Sequence, residues 1–385
     1  MEFNEYLMED ALSVIIDYRG KTPQKSESGI PTLSAKSVKN NYINYAECYY
    51  ISENEYKRFM VRGFPKKGDI LLTTEAPMGM VARLDRDDIA IAQRLLTLRG
   101  KDGVLDNDYL LYLLQSPYGQ GLLKAKETGT TVTGIKQSEF RRIVIKLPDI
   151  TVQKRVASIL NAIDGKISCN TKINDNLQQQ AAALFANFYD QAETEVGFTE
   201  IIQILGGGTP KTGESSYWNG NIPFFTPKDV GSPYTITTEK TITEIGLTHC
   251  NSRFYPVNTV FVTARGTVGK VGLAGVPMAM NQSCYALVGK DTHQLLVYFY
   301  TLKAVDRLKH KASGAVFDAI TTRDFESEIV MKLSDDDTKN FLDVAEPIYQ
   351  AVLSNSIENL RLATLRDSLL PKLMSGELDV SDIQL

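Results

Sequence analysis

Apolar side chains recur at three- and four-residue spacing through Val152, Val156, Ile159, Ile163, Ile167, Ile173, Leu177, Ala181, Leu184 and Phe188. That periodicity lays them along one narrow stripe of a helix. The stretch holds a single glycine, Gly165, and no proline after Pro148, which predicts one helix over 148–191. At ~1.5 Å per residue it would reach roughly 60 Å, longer than a compact domain buries, so the stripe calls for a partner helix. Pro148 and Asp149 suit its start: proline disfavours helix in the residue before it, and the carboxylate complements the positive N-terminal dipole. Asn170 falls inside the stripe. There an amide either is buried and fixes pairing register at a cost in stability, or stays partly solvated on a marginal helix.

A second stripe runs through Phe341, Val344, Ile348, Val352, Ile357, Leu360, Leu365, Leu369 and Leu373, and Asn355 in it lies 185 residues after Asn170. Pro371 is predicted to kink or end this helix near its last turn. Before the first stripe, Ile70 to Leu72 reads as a buried strand and the run RRIVIKLP as another. Leu110 to Leu114 and Leu122 to Leu123 read as a short helix interrupted near Pro117.

The order of features then begins again. GKTPQ at Gly20 to Gln24 corresponds to GGTPK at Gly207 to Lys211, and Ile30-Pro31-Thr32 to Ile222-Pro223-Phe224. Gly79 matches Gly269, and Gln93 matches Gln282; Gly129, Ile135 and Phe140 match Gly314, Ile320 and Phe325. The offset stays between 185 and 192 residues, so small loop insertions account for the drift. The chain therefore reads as a first α/β domain over 1–147, a spacer helix over 148–191, a second α/β domain over 192–333, and a second helix with its tail over 334–385. The expected class is α+β, mixed: two α/β domains separated by two long helices packed as an antiparallel coiled coil, with a pseudo-two-fold internal repeat. Two related domains held at opposite ends of such a spacer suit two separated half-sites of opposite polarity on a duplex.

Composition narrows the function classes. In 385 residues, 43% are hydrophobic and 23% charged, the balance of a globular protein with room for two cores. No apolar run approaches the ~20 residues that span a bilayer, and the acidic start MEFNEYLMED lacks the order of a signal peptide. Cys48, Cys169, Cys250 and Cys284 show no metal spacing, and a cytoplasmic home is expected. The net charge of −4 sits awkwardly with phosphate binding. Acidic residues concentrate in Glu193 to Glu195 and Asp335 to Asp337, however, so a local basic face can coexist with the acidic total.

Signals for catalysis are poor. GGGTPKTG lacks the Gly-Lys-Ser/Thr ending of a phosphate-cradling loop. Pro148-Asp149 with Asp164 and Lys166 imitates a nuclease layout, but Asp164 and Lys166 lie on the predicted helix rather than on strands around a metal. No Asn/Asp-Pro-Pro-aromatic methyl-transfer motif is present.

The helix opening LPDITVQKRVASILNAIDGKI, the entry GGGTPKTGESSYWNGNIPFFTPKDV and the ending LRDSLLPKLMSGEL resemble the specificity subunits of type I restriction-modification systems, over essentially the whole chain. The first domain departs from the pattern: Arg19-Gly20-Lys21 replaces the glycine run, and Tyr-Trp-Asn-Gly is missing. The resemblance implies a non-catalytic subunit whose two target-recognition domains each read half of a bipartite sequence in double-stranded DNA. It implies helices that set the spacing and dock two methyltransferase (M) subunits, to which two restriction (R) subunits can add. S-adenosylmethionine, ATP and Mg are then expected only on those partners, with no cofactor on this chain and no membrane partner. The rival reading from another class is a coiled-coil scaffold with two protein- or ligand-binding domains.

Base readout needs side chains that hydrogen-bond to base edges, supported by short polar and basic groups on phosphate. The first domain offers Lys21, Thr22, Lys36, Thr73, Thr74, Gln93 and Arg94, with Thr130, Thr131 and Lys136 in a loop matching Ser313 to Phe317. The second offers Thr209, Lys211, Tyr217, Trp218, Lys228, Arg265, Thr267, Lys270, Asn281, Gln282 and Ser283. Arg265 suits guanine, and Asn281 or Gln282 adenine. The plainer reading of Tyr217 and Trp218 is packing, and of Lys36 and Lys228 solvated charge.

Overall fold

The computed structural model describes residues 2–18, 20–129, 133–231, 233–311 and 319–380. The chain divides into two compact units, Met1–Lys166 with Leu362–Leu385, and Ile167–Arg361. Each contains one α/β domain and part of each long helix.

In the first unit an antiparallel sheet runs in the order Leu12–Asp17, Leu95–Gly100, Ile70–Thr73, Val81–Arg83. A smaller sheet places Ile30–Leu33 between Tyr49–Ile51 and, in parallel, Ala90–Ile91. The run Ile70-Leu71-Leu72 is continuously apolar because both faces of its strand are buried. Ile70 and Leu72 enter the core that contains Tyr109, Leu110 and Leu113 of the helix Asn107–Gln115, while Leu71 enters another with Tyr18, Leu33 and Ile51. That helix ends where expected: Ser116 closes it, accepts the Gly119 N–H at 3.0 Å, and starts the next helix, Pro117–Ala125.

The second unit repeats the plan. Its main sheet orders Ile202–Gly206, Cys284–Gly289, Val260–Thr263, Val271–Ala274 and Tyr234–Thr235, and Trp218–Phe225 pairs with Lys240–Ile242 and, in parallel, with Ala279–Met280. The repeat extends to single pairings. Asn4 pairs with Leu147 as Thr194 pairs with Lys332, and Thr32 with Ala90 as Phe224 with Ala279. The bridge Glu75 to Gly134 recurs as Arg265 to Ala319. Where the second domain has the 3-10 turn Ser215–Tyr217 and the start of the strand Trp218–Phe225, the first has only the bridge from Ser26 to Tyr50 before its shorter strand Ile30–Leu33, so the missing Tyr-Trp-Asn-Gly goes with a change of local backbone.

The two long helices are Ile150–Gln191 and Asp335–Ser375. The first is capped by Asp149, whose carboxylate accepts the Thr151 N–H at 2.8 Å. They run antiparallel in both units. In the first, Asp164 pairs with Arg366 at 2.8 Å, and Val156 and Leu160 share a core with Leu370, Leu373 and Met374. In the second, Asn170 bonds Glu358 and Asn359, Asn174 bonds Ser356, and Ala181 and Phe185 meet Phe341, Ala345 and Tyr349.

One expectation needs correction here. The buried seam of the first helix passes through Asn170 and Asn174, 1% and 7% exposed, while Ile173 is 42% exposed. A stripe drawn through apolar residues alone slipped by one position, because hydrogen-bonded amides occupy the interior. On the second helix Val344, Leu360 and Leu365 are exposed while Ala345 and Tyr349 are buried. The second helix also runs through Pro347 and past Pro371 to Ser375. A proline four residues from a helix end removes a bond where few remain, and Leu370, Leu373 and Met374 hold the last turn by packing into the first core. Among the described residues, no helix is long and apolar enough to cross a membrane.

Candidate nucleic-acid interface

In the second domain the strand Val260–Thr263 ends in a turn fastened by Thr263. Its buried hydroxyl accepts the Lys270 N–H at 2.9 Å, and its carbonyl accepts the Gly269 N–H at 2.9 Å. Gly269 has a φ of 74°, a left-handed backbone that favours glycine, while the atom a Cβ would meet first, Cε of Lys309 at 2.6 Å, belongs to the movable end of a lysine. The tip exposes Arg265, Gly266, Thr267 and Lys270. Thr267 donates to the Pro227 carbonyl at 3.3 Å, and Asn281 N–H to that of Phe225 at 2.9 Å. The Thr209 hydroxyl bonds the side-chain oxygen of Gln282, Asn281 accepts the Ser283 N–H at 3.0 Å, and the Ser283 carbonyl accepts the Ala264 N–H at 2.8 Å. One surface thus gathers Thr209, Lys228, Arg265, Thr267, Asn281, Gln282 and Ser283 from four loops.

Lys228 sits in a turn clasped by Asp229, whose carboxylate accepts the Thr226 N–H and hydroxyl at 2.8 and 2.6 Å and the Glu239 N–H at 2.8 Å. The exposed ammonium lies 3.6 Å from Glu239. Lys36 occupies the matching turn of the first domain, clasped by Ser37, which accepts the Ser34 N–H at 3.3 Å. Asp229 and Ser37 escaped the sequence reading because a clasp is a local geometry rather than a motif.

Tyr217 and Trp218 are packing residues in this structure. Tyr217 stacks on His249 at 4.9 Å, and Trp218 sets its edge against Phe224 at 5.5 Å while its Nε1 donates to the Lys211 carbonyl at 3.1 Å. Lys211 itself is exposed.

In the first domain Lys21, Thr22, Lys36, Arg94 and Lys136 are exposed and Gln93 is half-buried. Thr73 and Thr74 are buried, a correction to the candidate set. The Thr73 hydroxyl accepts the Met80 N–H at 2.8 Å, the same clamp as Thr263, and Thr74 is fixed through its N–H to the Arg94 carbonyl and its carbonyl to the Ile135 N–H. They shape the loop instead of presenting it. Glu75, absent from the sequence candidates, follows them and pairs with Arg94, its Oε1 2.9 Å from Nε. Thr130 and Thr131 lie outside the described residues, as do residues 313–317 of the matching loop.

Reactive chemistry is thin on these surfaces. Burial, reinforced by Asp229, pushes the Cys284 thiol up to about 12, away from nucleophilic use. Among the described residues, no group of three or more His, Cys, Asp or Glu is placed to hold a metal ion.

A duplicated α/β domain whose equivalent loops gather basic and amide side chains, mounted on paired long helices, defines a two-part recognition protein. The family model described as "Type I restriction modification DNA specificity domain" matches residues 15–179 and 194–332, and the chain belongs to that family. Among its relatives, the type I restriction enzyme MjaIX specificity subunit of Methanocaldococcus jannaschii is 24% identical over 383 residues, covering 92% of this chain and 88% of the relative. The HindI specificity subunit of Haemophilus influenzae is 22% identical, covering 81% and 87%. In fold, the chain is similar to the crystal structure of a type I restriction-modification S subunit from M. genitalium, with a TM-score of 0.61 at 15% identity over 97% of this chain and 96% of that one.

Proposed function

We propose that this chain is the non-catalytic recognition subunit of a type I restriction-modification complex, in which each α/β domain reads one half of an asymmetric bipartite target in double-stranded DNA. The observation that carries the reading is one loop framework present twice with different side chains: Lys36 and Lys228 are shared, whereas Glu75 and Arg94 stand where Arg265 and Ser283 stand. A conserved backbone with unlike reading groups is what two unlike half-sites require. Methylation and cleavage belong to partners, two methyltransferase subunits and up to two restriction subunits, and S-adenosylmethionine, ATP and Mg act there. The long helices dock the methyltransferases and set the half-site spacing. Removing equal four-residue blocks from both helices, ~6 Å of rise, is expected to change that spacing. With a net charge of −4, the isolated chain binds DNA weakly and the assembled complex tightly.

Methylome sequencing of cells with and without this chain tests the reading. A bipartite methylated motif that disappears with the chain supports it; methylation unaffected by its loss refutes it.

A further inference from the structure

Glu75 and Arg94 are joined across the first domain as Arg265 and Ser283 are across the second. Glu75 and Arg265 each form the bridge to the following loop, at Gly134 and Ala319. The carbonyls of Arg94 and Ser283 each accept the N–H of the residue that ends the neighbouring strand, Thr74 at 3.0 Å and Ala264 at 2.8 Å. At equivalent places, then, the arginine has changed sides, and only the first domain adds an acid.

The backbone at Arg94 is left-handed, with φ of 71°. That conformation favours glycine or asparagine, and a long side chain held there is strained. Local folding therefore gives no reason for arginine at this position. An exposed ion pair gives little reason either, since such pairs contribute little to stability. What the arrangement does provide is aim. The Glu75 side chain is 21% exposed and the Arg94 side chain 48%, so the acid is the more deeply set member. The ion pair brings Glu75 Oε1 to 2.9 Å from Nε, and the two Nη groups beyond it are the fork that matches a pair of acceptors. Guanine presents such a pair, N7 and O6, in the major groove.

Resting on the DNA-reading role above, we infer that Arg94 reads a guanine in the half-site of the first domain and that Glu75 is the residue positioning it. In the second domain, Arg265 approaches from the other side of the same bridge without an acid.

The test uses the chain expressed with its partner subunits in a host lacking other methylation, and reads the methylated motif for the wild type and for Arg94→Asn, Arg94→Lys, Glu75→Gln and Glu75→Asp. Asparagine suits the left-handed backbone, so Arg94→Asn keeps the fold, and a thermal melt of the complex checks it. Expected is relaxation of one G·C position in one half of the motif for Arg94→Asn and Arg94→Lys, with roughly ten- to hundredfold lost discrimination at that position and the other half unchanged. Glu75→Gln relaxes the same position more weakly, and Glu75→Asp restores part of it. A motif identical at every position in the Arg94 variants overturns the inference while leaving the recognition role intact, as does uniform loss across both halves. A wild type that leaves no motif overturns the recognition role and the inference with it.

Discussion

The side-chain amide of Asn170 donates to the side-chain oxygen of Asn359 at 2.9 Å, and Asn355 donates to Asn174 at the same 2.9 Å. Asn355 and Asn359 follow Asn170 and Asn174 by 185 residues. Exchanging the two helices therefore turns one bond into the other, so the internal repeat is visible in the hydrogen bonding of the seam. Asn170 also reaches Glu358 at 2.7 Å, and Asn174 the Val352 carbonyl at 3.2 Å.

Truncating Asn170 removes a buried donor shared by Glu358 and Asn359, and truncating Asn355 takes the donor from the buried oxygen of Asn174. Asn170→Ala and Asn355→Ala are each expected to lower stability by about 1–3 kcal/mol, by similar amounts, measured as the shift in urea midpoint of the full chain. A double-mutant cycle of Asn170 with Asn359 should show coupling; additive effects would place these amides in solvent instead.

Ile173 and Phe185 separate a stripe drawn from residue type from the seam that is buried. Ile173→Ala is expected to stay within about 0.5 kcal/mol. Phe185→Ala should cost about 3–5 kcal/mol, because its ring stacks on Phe299 at 4.8 Å and meets Tyr300 and Phe341 edge-on. Chemical denaturation of the two variants side by side decides between the two stripes.

Thr73 and Thr263 are expected to act on the fold and not on the sequence read. Replacing either by valine removes the acceptor of one buried N–H and should cost about 1–2 kcal/mol. Melting of the variants reports that loss, and the methylated motif should be unaltered. A changed motif with unchanged melting would return the threonines to the reading surface.

Lys36 and Lys228 occupy equivalent turns, and neither turn aims a donor in the fixed geometry that base readout needs. Each lysine that meets one phosphate contributes about 0.9 to the slope of log affinity against log salt. Alanine at either site should reduce that slope and weaken all sequences alike, in titrations of the assembled complex at several salt concentrations. Lys228 first has to leave Glu239, so its effect should be the smaller.

Much of this fold was legible because duplication leaves a periodic record. Gly79 and Gly269, Ile135 and Ile320, and Phe140 and Phe325 survive at fixed offsets since each meets a demand of backbone or core that both copies share. The helices were legible from their spacing, but not which side chain of Ile173 and Asn174 turns inward, because a buried amide reads as polar until its partner is known. The candidate surface was legible in part. Hydroxyls beside a buried strand suggested readers at Thr73 and Thr74, whereas the strand end consumes them. Glu75 was overlooked because an acid argues against phosphate binding, and its pairing depends on a left-handed turn at Arg94 that residue type does not announce.

The amides have one more consequence, for fidelity. Because the asparagines stand four residues apart on each helix, sliding one helix a turn along the other would keep one Asn–Asn pair and break the other, leaving one of the two buried amides, Asn170 or Asn174, without its asparagine partner. At about 1–3 kcal/mol for that amide, the slipped form is disfavoured roughly five- to 150-fold. A purely greasy interface would tolerate such drift; this one behaves like a pawl in a toothed rack, biasing the pair toward a single setting.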